Sequence, residues 1–241
     1  MTGEREAGQV MKKVIIGIHG LKNKPPEMLL KKWWKESIEE GFAANSYQCG
    51  DFVFDLVYWA DLNYETPEDP DEDNEENPKF VTFPYVPAGE ENNESFRERL
   101  RRGVRRTIES GLDMLFLRGE EISGLDRIAD LAIRRMFEDL DIYYTGDCRA
   151  KPGVNDKKEF RKRLTDKLRK YRGYRIMLVA HSMGSIIAYD TLMLFGKRKR
   201  VDYFVTLGSP LGLPVFLKKF LIEQGKEVKN ENLPSSPDAI R

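Results

Sequence analysis

Residues 175–195 place one serine between two apolar segments. The first segment, RIMLVA, is short and aliphatic, which is typical of a buried strand, and the second, MGSIIAYDTLMLF, has the length of a helix. A strand that passes directly into a helix needs a tight turn at Ser182, whose hydroxyl then projects from the edge of the sheet. Ala180 and Gly184 are small enough not to collide across that turn. The pattern predicts a nucleophilic serine at a helix N-terminus, which favours developing negative charge.

The segments around Ser182 belong to an alternation of predicted strands and helices. Short apolar runs predict strands at residues 13–18, 52–58, 175–180 and 201–208. Apolar residues at helical spacing predict helices that start at Pro26, near Asp156, at Met183 and near Val215. Strands that alternate with helices usually pair in parallel. The sequence therefore predicts the α/β fold class, with a mainly parallel sheet flanked by helices.

Four motifs along the chain together resemble one known family. They are HGL at 19–21, VYWAD at 57–61, VAHSMGSIIAYDTL at 179–192 and VTLGSPLG at 205–212. In this order the chain resembles the lipase-like and esterase-like bacterial serine hydrolases of the α/β-hydrolase fold, over residues 13–60 and 140–217. The resemblance implies a single α/β-hydrolase-like domain across residues 1–241, incomplete at its C-terminus and carrying a helical insertion.

The resemblance also implies a reaction. Hydrolases of this kind cleave a carboxylic ester through a covalent acyl-enzyme, and Ser182 matches their nucleophile. Ala180 stands where the usual motif has its first glycine. The implied machinery is a Ser–Asp/Glu–His triad with no metal and no organic cofactor, and the implied partner is a small-molecule ester.

The oxyanion hole is assigned by position. In this fold the loop after the first strand and the residue after the nucleophile supply its backbone N–H groups, which here are those of Leu21 and Met183. His19 and Gly20 precede Leu21, and the resemblance implies that they support this loop. It also implies that His181, beside the nucleophile, points away from it. The TLGSPLG segment either helps to shape the pocket or is an ordinary Gly/Pro turn.

The general base of a triad has no candidate in the sequence. The chain has only two histidines, His19 and His181, and both belong to the motifs already described. The resemblance places the acid and the base after later strands. Beyond the SPLG segment the acidic residues are Glu223, Glu227, Glu231 and Asp238. We therefore expect residues 1–241 to be part of a longer chain with acid and base beyond residue 241, and to be nearly inactive alone.

Residues 62–137 interrupt the alternation and are predicted to form an insertion. The stretch ETPEDPDEDNEENP, at 65–78, is acidic and rich in proline, which is typical of a mobile surface loop. Apolar stripes at helical spacing follow over 100–115 and 122–137. The expected arrangement is an acidic loop and a helical cap over the cleft, where caps gate access and influence the choice of substrate.

Composition limits the other function classes. Lys+Arg and Asp+Glu are both 40, so the formal net charge is zero, which argues against binding of nucleic acid by bulk positive charge. Two cysteines exclude a disulfide scaffold and indicate reduced thiols. No apolar run approaches the ~18 residues that span a bilayer. We expect a soluble, cytoplasmic protein without a membrane span, whose oligomeric state the sequence leaves open.

Two alternatives to an enzyme remain open at this point. In the first, Ser182 lies in an ordinary strand-to-helix turn, and a degenerate hydrolase fold without its triad acts as a non-catalytic binding module. In the second, the protein is a scaffold that binds an anionic partner through basic segments. These segments are RERLRRGVRR at 97–106, KKEFRKRLTDKLRKYR at 157–172 and KRKR at 197–200. Solvated faces of amphipathic helices would produce the same basic pattern.

Overall fold

The strands form one all-parallel, four-stranded sheet in the order β2–β1–β3–β4, where β1 is Lys13–Ile18, β2 is Val53–Val57, β3 is Arg175–His181 and β4 is Tyr203–Leu207. The structure is a computed structural model. It describes residues 11–47, 52–82, 84–87, 138–145, 156–196, 201–227 and 235–240. The four strands lie where the apolar runs predict them, and the parallel α/β prediction is confirmed.

Six helices lie around the sheet in the described part of the chain. They are α1 (Glu27–Ala44), α2 (Ala60–Asn63), α3 (Glu138–Thr145), α4 (Asp156–Lys170), α5 (Met183–Phe195) and α6 (Pro214–Glu223). The four predicted helix starts are confirmed to within one residue, with Pro26 as the residue that precedes α1. The short helices α2 and α3 are not predicted, because neither is long enough to show a helical period. Among the described residues, no helix is long and apolar enough to cross a bilayer.

The register of the sheet brings three loops together at one edge. Ile18 of β1 pairs with Val57 on one side and with Ala180 on the other, and Ala180 in turn pairs with Thr206. The strands are parallel, so the segments that follow β1, β3 and β4 leave the sheet at the same end. Ligands of open α/β sheets bind at this end of the strands. The HGL loop, Ser182 and the TLGSPLG segment are therefore neighbours.

The main hydrophobic core lies between one face of the sheet and four helices, α3 to α6. Its fully buried centre includes Ile16, Leu178 and Ile186, from β1, β3 and α5. Helix α4 contributes the predicted apolar stripe, Phe160, Leu164, Leu168 and the following Tyr171, all of which are buried. Core packing thus holds β3 and α5, the elements on either side of Ser182, in a fixed relation to each other.

The opposite face of the sheet is covered unevenly. Helix α1 packs over β1 and β2 through a smaller cluster centred on Leu30, Phe54 and Leu56. On β4 the apolar side chains of Tyr203, Val205 and Leu207 are exposed. Tyr203 and Val205 pair with Met177 and Val179 of β3. These two residues alternate along β3 with the buried residues that face the main core. Within the described residues, no helix therefore covers this part of the sheet.

Of the predicted 62–137 insertion, the structure describes residues 62–82 and 84–87. Residues 64–82 form exposed turns rather than a helix, with one isolated bridge between Asp69 and Phe80. Side chains stabilise the turns locally, since Asp69 and Asn74 accept hydrogen bonds from backbone N–H groups two residues ahead. The helical stripes over 100–115 and 122–137 lie outside the described residues, so the cap over the cleft stays a prediction.

A buried carboxylate connects β2 to the two helices beside it. Asp55 is 1% exposed. It accepts hydrogen bonds from the ammonium groups of Lys31 in α1 and of Lys167 and Lys170 in α4, and from the Tyr171 hydroxyl. Burial alone would raise the pKa of Asp55, but the hydrogen bonds from Lys167, Lys170, Lys31 and Tyr171 hold that pKa well below its ordinary value.

We predict that Asp55→Asn destabilises the protein by roughly 2–3 kcal/mol, because the charge-assisted hydrogen bonds are lost. The folded-state pKa of Asp55 is lowered, so its contribution is present above the unfolded-state pKa of about 4 and declines as the pH falls below that value. Urea denaturation of both proteins at several pH values measures the difference. Asp166→Asn, which removes an exposed partner of Lys162, is the control and should change stability little. If the loss of unfolding free energy caused by Asp55→Asn grows as the pH falls below 4, this account is contradicted.

Candidate active site

Ser182 occupies a strained turn between β3 and α5. Its backbone angles are φ 49° and ψ −123°, a left-handed conformation that residues with a Cβ rarely adopt and that costs roughly 1–3 kcal/mol. The turn is held by hydrogen bonds on both sides. The Ser182 N–H donates to the carbonyl of Leu207 over 2.9 Å, and the Ser182 carbonyl accepts from the backbone N–H of Ser185. The geometry is the tight strand-to-helix turn predicted from the sequence.

Small residues around the turn allow very close backbone approaches. A Cβ added to Gly184 would lie 2.6 Å from the Ile18 carbonyl oxygen and 2.7 Å from that of His19. A Cβ added to Gly20 would lie 2.9 Å from the Cβ of Ser182. The start of α5 therefore packs directly against the end of β1, and the HGL loop lies in contact with the serine.

The two predicted oxyanion donors have no acceptor in the described part of the chain and can donate to a ligand. Neither the Leu21 N–H nor the Met183 N–H has a hydrogen-bond partner among the described residues. Met183 is the first residue of α5, so its N–H is one of the groups that a helix leaves unsatisfied at its start. Where such N–H groups lie near a serine hydroxyl, they can stabilise a negatively charged oxygen that forms on a carbon bonded to the serine oxygen.

His19 is a fixed structural part of the loop. It is 1% exposed and stacks on Trp59, with ring centroids 4.4 Å apart. Its Nε2 accepts the Trp59 backbone N–H over 3.0 Å, so Nδ1 carries the proton and donates to the Gly20 carbonyl over 2.9 Å. Burial and the charge of Lys24 lower the pKa of His19 well below its ordinary value. With both ring nitrogens occupied, His19 supports the loop, as the resemblance implies, and cannot take a proton from Ser182.

His181 lies across the end of the sheet between two glycines. A Cβ at Gly20 would lie 2.8 Å from its Nδ1, and a Cβ at Gly208 would lie 3.8 Å from its Nε2. Its side chain is partly open to solvent and forms no hydrogen bond with Ser182. Partial burial of the ring and the charge of Lys24 lower the pKa of His181. The structure therefore does not join His181 to the nucleophile.

Lys24 places a positive charge inside the HGL loop. Its ammonium donates to the carbonyls of three preceding residues, Leu21, Lys22 and Asn23. Burial lowers the pKa of Lys24 to about 8, against the opposing effect of nearby carboxylates. Burial likewise raises the pKa of the neighbouring Glu68 to about 7. The loop curls around this ammonium. This contact is not predictable from the sequence pattern, because lysine is common in exposed loops.

The TLGSPLG segment takes part in the turn at Ser182. The Ser185 hydroxyl donates to the Ser182 carbonyl over 2.6 Å and lies 2.8 Å from the Ser209 hydroxyl. The single Ser185 proton goes to Ser182, so Ser209 donates to Ser185, and Ser209 accepts from the Leu211 N–H over 3.3 Å. This chain of hydrogen bonds links the loop after β4 to the backbone of the serine. The sequence left a structural turn and a role at the site as equal alternatives.

The basic residues of α4 are largely engaged within the protein. Arg161 and Lys157 bind the buried Asp190 of α5, and Arg163 binds Asp61 with both guanidinium nitrogens. These ion pairs join α4 to the core, so the basic segment at 157–172 offers far fewer free charges than its composition suggests.

Comparison of the chain with protein-family models, with curated proteins and with solved structures gives no match.

We predict opposite effects for the same substitution at two helical glycines. Gly184→Ala should destabilise the protein by roughly 1–3 kcal/mol, because its Cβ meets backbone carbonyls that have no room to move. Gly41→Ala in α1 should stabilise it by about 0.5–1 kcal/mol, because nothing lies within 4 Å of that Cβ and alanine favours a helix. Chemical denaturation measures both values. Equal stabilities of the two variants would show that α5 does not approach β1 as closely as described.

Proposed function

We propose that this protein is a serine hydrolase of the α/β-hydrolase fold that cleaves a carboxylic ester. The observation that carries the proposal is the geometry at Ser182. Ser182 lies in a left-handed strand-to-helix turn, is followed by the first N–H of the helix at Met183 and is in contact with the loop that carries Leu21. Both N–H groups are without a partner among the described residues, which supports a role in acyl transfer. The parallel sheet supports the same reading, since the turn lies at the carboxyl end of its strands.

In the proposed reaction the Ser182 Oγ attacks the ester carbonyl carbon while a general base accepts its proton. The carbonyl oxygen becomes negatively charged, and the Leu21 and Met183 N–H groups stabilise it. The tetrahedral intermediate then expels the alcohol, which receives the proton from the base, and the acyl group remains on Ser182. Attack of water on this ester, assisted by the same base, releases the carboxylic acid and restores the serine.

Among the described residues, no histidine is placed to act as the base of this mechanism. His19 is excluded because both its ring nitrogens are hydrogen-bonded. His181 forms no hydrogen bond with the serine, and the sequence has no third histidine. The strained turn, the candidate oxyanion donors and their supporting loop form from the described residues without contact to a base.

We predict that the 241-residue chain hydrolyses p-nitrophenyl esters slowly and that added imidazole accelerates the reaction. Oxyanion donors and binding alone leave a rate roughly 10³-fold above water. A diffusible base should recover roughly tenfold of the 10²–10⁴-fold that a positioned base supplies. Imidazole also hydrolyses these esters directly, so the quantity to measure is the rate of the wild-type chain minus that of Ser182→Ala. If the wild-type and Ser182→Ala rates are equal both with and without imidazole, Ser182 is not the nucleophile.

The second candidate function is a non-catalytic binding module. The observation that favours it is the absence of a described side chain placed to take the Ser182 proton. In that case Ser182→Ala and wild type should bind an ester-like ligand equally, and neither should turn it over in the presence of imidazole. Turnover that depends on Ser182 would decide for the hydrolase.

A further inference from the structure

A buried carboxylate from a distant part of the chain holds the loop that carries the Leu21 donor. Asp139 lies in α3, 117 positions away from Lys22 in sequence, and is 3% exposed. We propose that Asp139 is a positioning residue that keeps residues 20–22 in the conformation in which the Leu21 N–H faces the oxyanion. This inference rests on the proposed function, because it concerns the oxyanion hole of that site.

The backbone of Lys22 is the part of the loop that needs to be held. Lys22 has φ 70°, in the left-handed region where a residue with a Cβ is strained. Such a conformation persists only when surrounding contacts determine it. The Lys22 N–H donates to Oδ2 of Asp139 over 2.5 Å, and a hydrogen bond to a carboxylate is stronger than one between neutral groups. Asp139 therefore stabilises a strained residue directly beside Leu21.

Asp139 is itself fixed by a second helix. The side-chain amide of Asn63, at the end of α2, donates to its Oδ1 over 2.8 Å. Within the described part of the chain, no cation forms an ion pair with Asp139, in contrast to Asp55, where several do. Each carboxylate oxygen of Asp139 thus orients one neighbouring group. Oδ1 binds the Asn63 side chain, and Oδ2 binds the backbone N–H of Lys22 in the loop.

The carbonyl side of the loop is held separately. The His19 ring binds the Gly20 carbonyl, and the Lys24 ammonium binds those of Leu21 and Lys22. The Leu21 N–H lies between these contacts and has no partner among the described residues. A donor without a partner in a loop whose neighbouring carbonyls are held is preorganised for a ligand, and preorganised donors contribute most to stabilising a developing charge.

An arylboronic acid tests this role without a general base. The boron of phenylboronic acid accepts the Ser182 oxygen and becomes tetrahedral and negatively charged, and the serine proton passes to the solvent. The adduct resembles the tetrahedral intermediate, so its affinity reports on the oxyanion donors. We predict that Asp139→Ala lowers the affinity of the folded 241-residue chain for phenylboronic acid roughly tenfold or more, measured by calorimetry. Asp139→Asn, which keeps an acceptor but loses the charge, should give an intermediate loss.

A second substitution separates positioning from general stability. Glycine adopts φ 70° without strain, so Lys22→Gly should restore part of the affinity lost in Asp139→Ala if Asp139 acts by holding Lys22. Asp55→Asn is the matched control, because it removes another buried carboxylate that contacts neither the loop nor Ser182. It should lower stability and leave the affinity of the folded protein unchanged. If Asp139→Ala does not fold, the same comparison is made with Asp139→Asn.

The outcomes distinguish this inference from the proposed function. If Ser182→Ala binds phenylboronic acid as tightly as wild type, the proposed nucleophile is wrong. If binding depends on Ser182 but Asp139→Ala and Asp139→Asn retain the wild-type affinity, only the role of Asp139 is overturned. The same conclusion follows if Lys22→Gly gives no recovery or if Asp55→Asn loses as much affinity, since Asp139 would then act through overall stability. The proposal is supported if Lys22→Gly restores affinity for phenylboronic acid in the Asp139 variants and has no such effect on the wild-type chain.

Discussion

The strained backbone of Ser182 is the constraint on which the rest of the site depends. A positive φ at a residue with a Cβ costs free energy, so the turn forms only because the surroundings determine it. The Leu207 carbonyl holds the Ser182 N–H, and Ser185 holds the Ser182 carbonyl through both its N–H and its hydroxyl. These contacts come from β4 and α5. The Ser182 turn therefore depends both on the pairing register of β4 with β3 and on the position at which α5 begins.

The same close packing connects the serine to the loop after β1. Gly184 allows α5 to reach the carbonyls of Ile18 and His19, and Gly20 allows the loop to contact the Ser182 side chain. Around these contacts His19 and Lys24 hold the carbonyls of the loop and Asp139 holds the Lys22 N–H, while the Leu21 N–H has no partner among the described residues. Strain at Ser182 and order in the loop are therefore parts of one arrangement, built at the end of the sheet where parallel strands terminate together.

Local sequence patterns predicted the elements and the serine, because strand and helix periods and the spacing of Ala180, Ser182 and Gly184 are properties of short segments. They did not predict Asp139 or its contact with Lys22, because only the tertiary fold brings together residues 117 positions apart. Helix α3 was missed for a related reason, since its 8 residues are too few to show a period. The sequence patterns likewise did not show that both ring nitrogens of His19 are hydrogen-bonded, because its partner Trp59 lies 40 positions away.

The central claim is that Ser182 is a nucleophile held beside a working oxyanion hole. The most direct measurement is peptide mass spectrometry of the 241-residue chain after incubation with p-nitrophenyl acetate and imidazole. We predict a single acetyl group on the peptide that contains Ser182, and no acetylation of that peptide in Gly184→Ala, where the turn cannot pack. Acetyl groups spread over lysines, with Ser182 unmodified, would contradict the account.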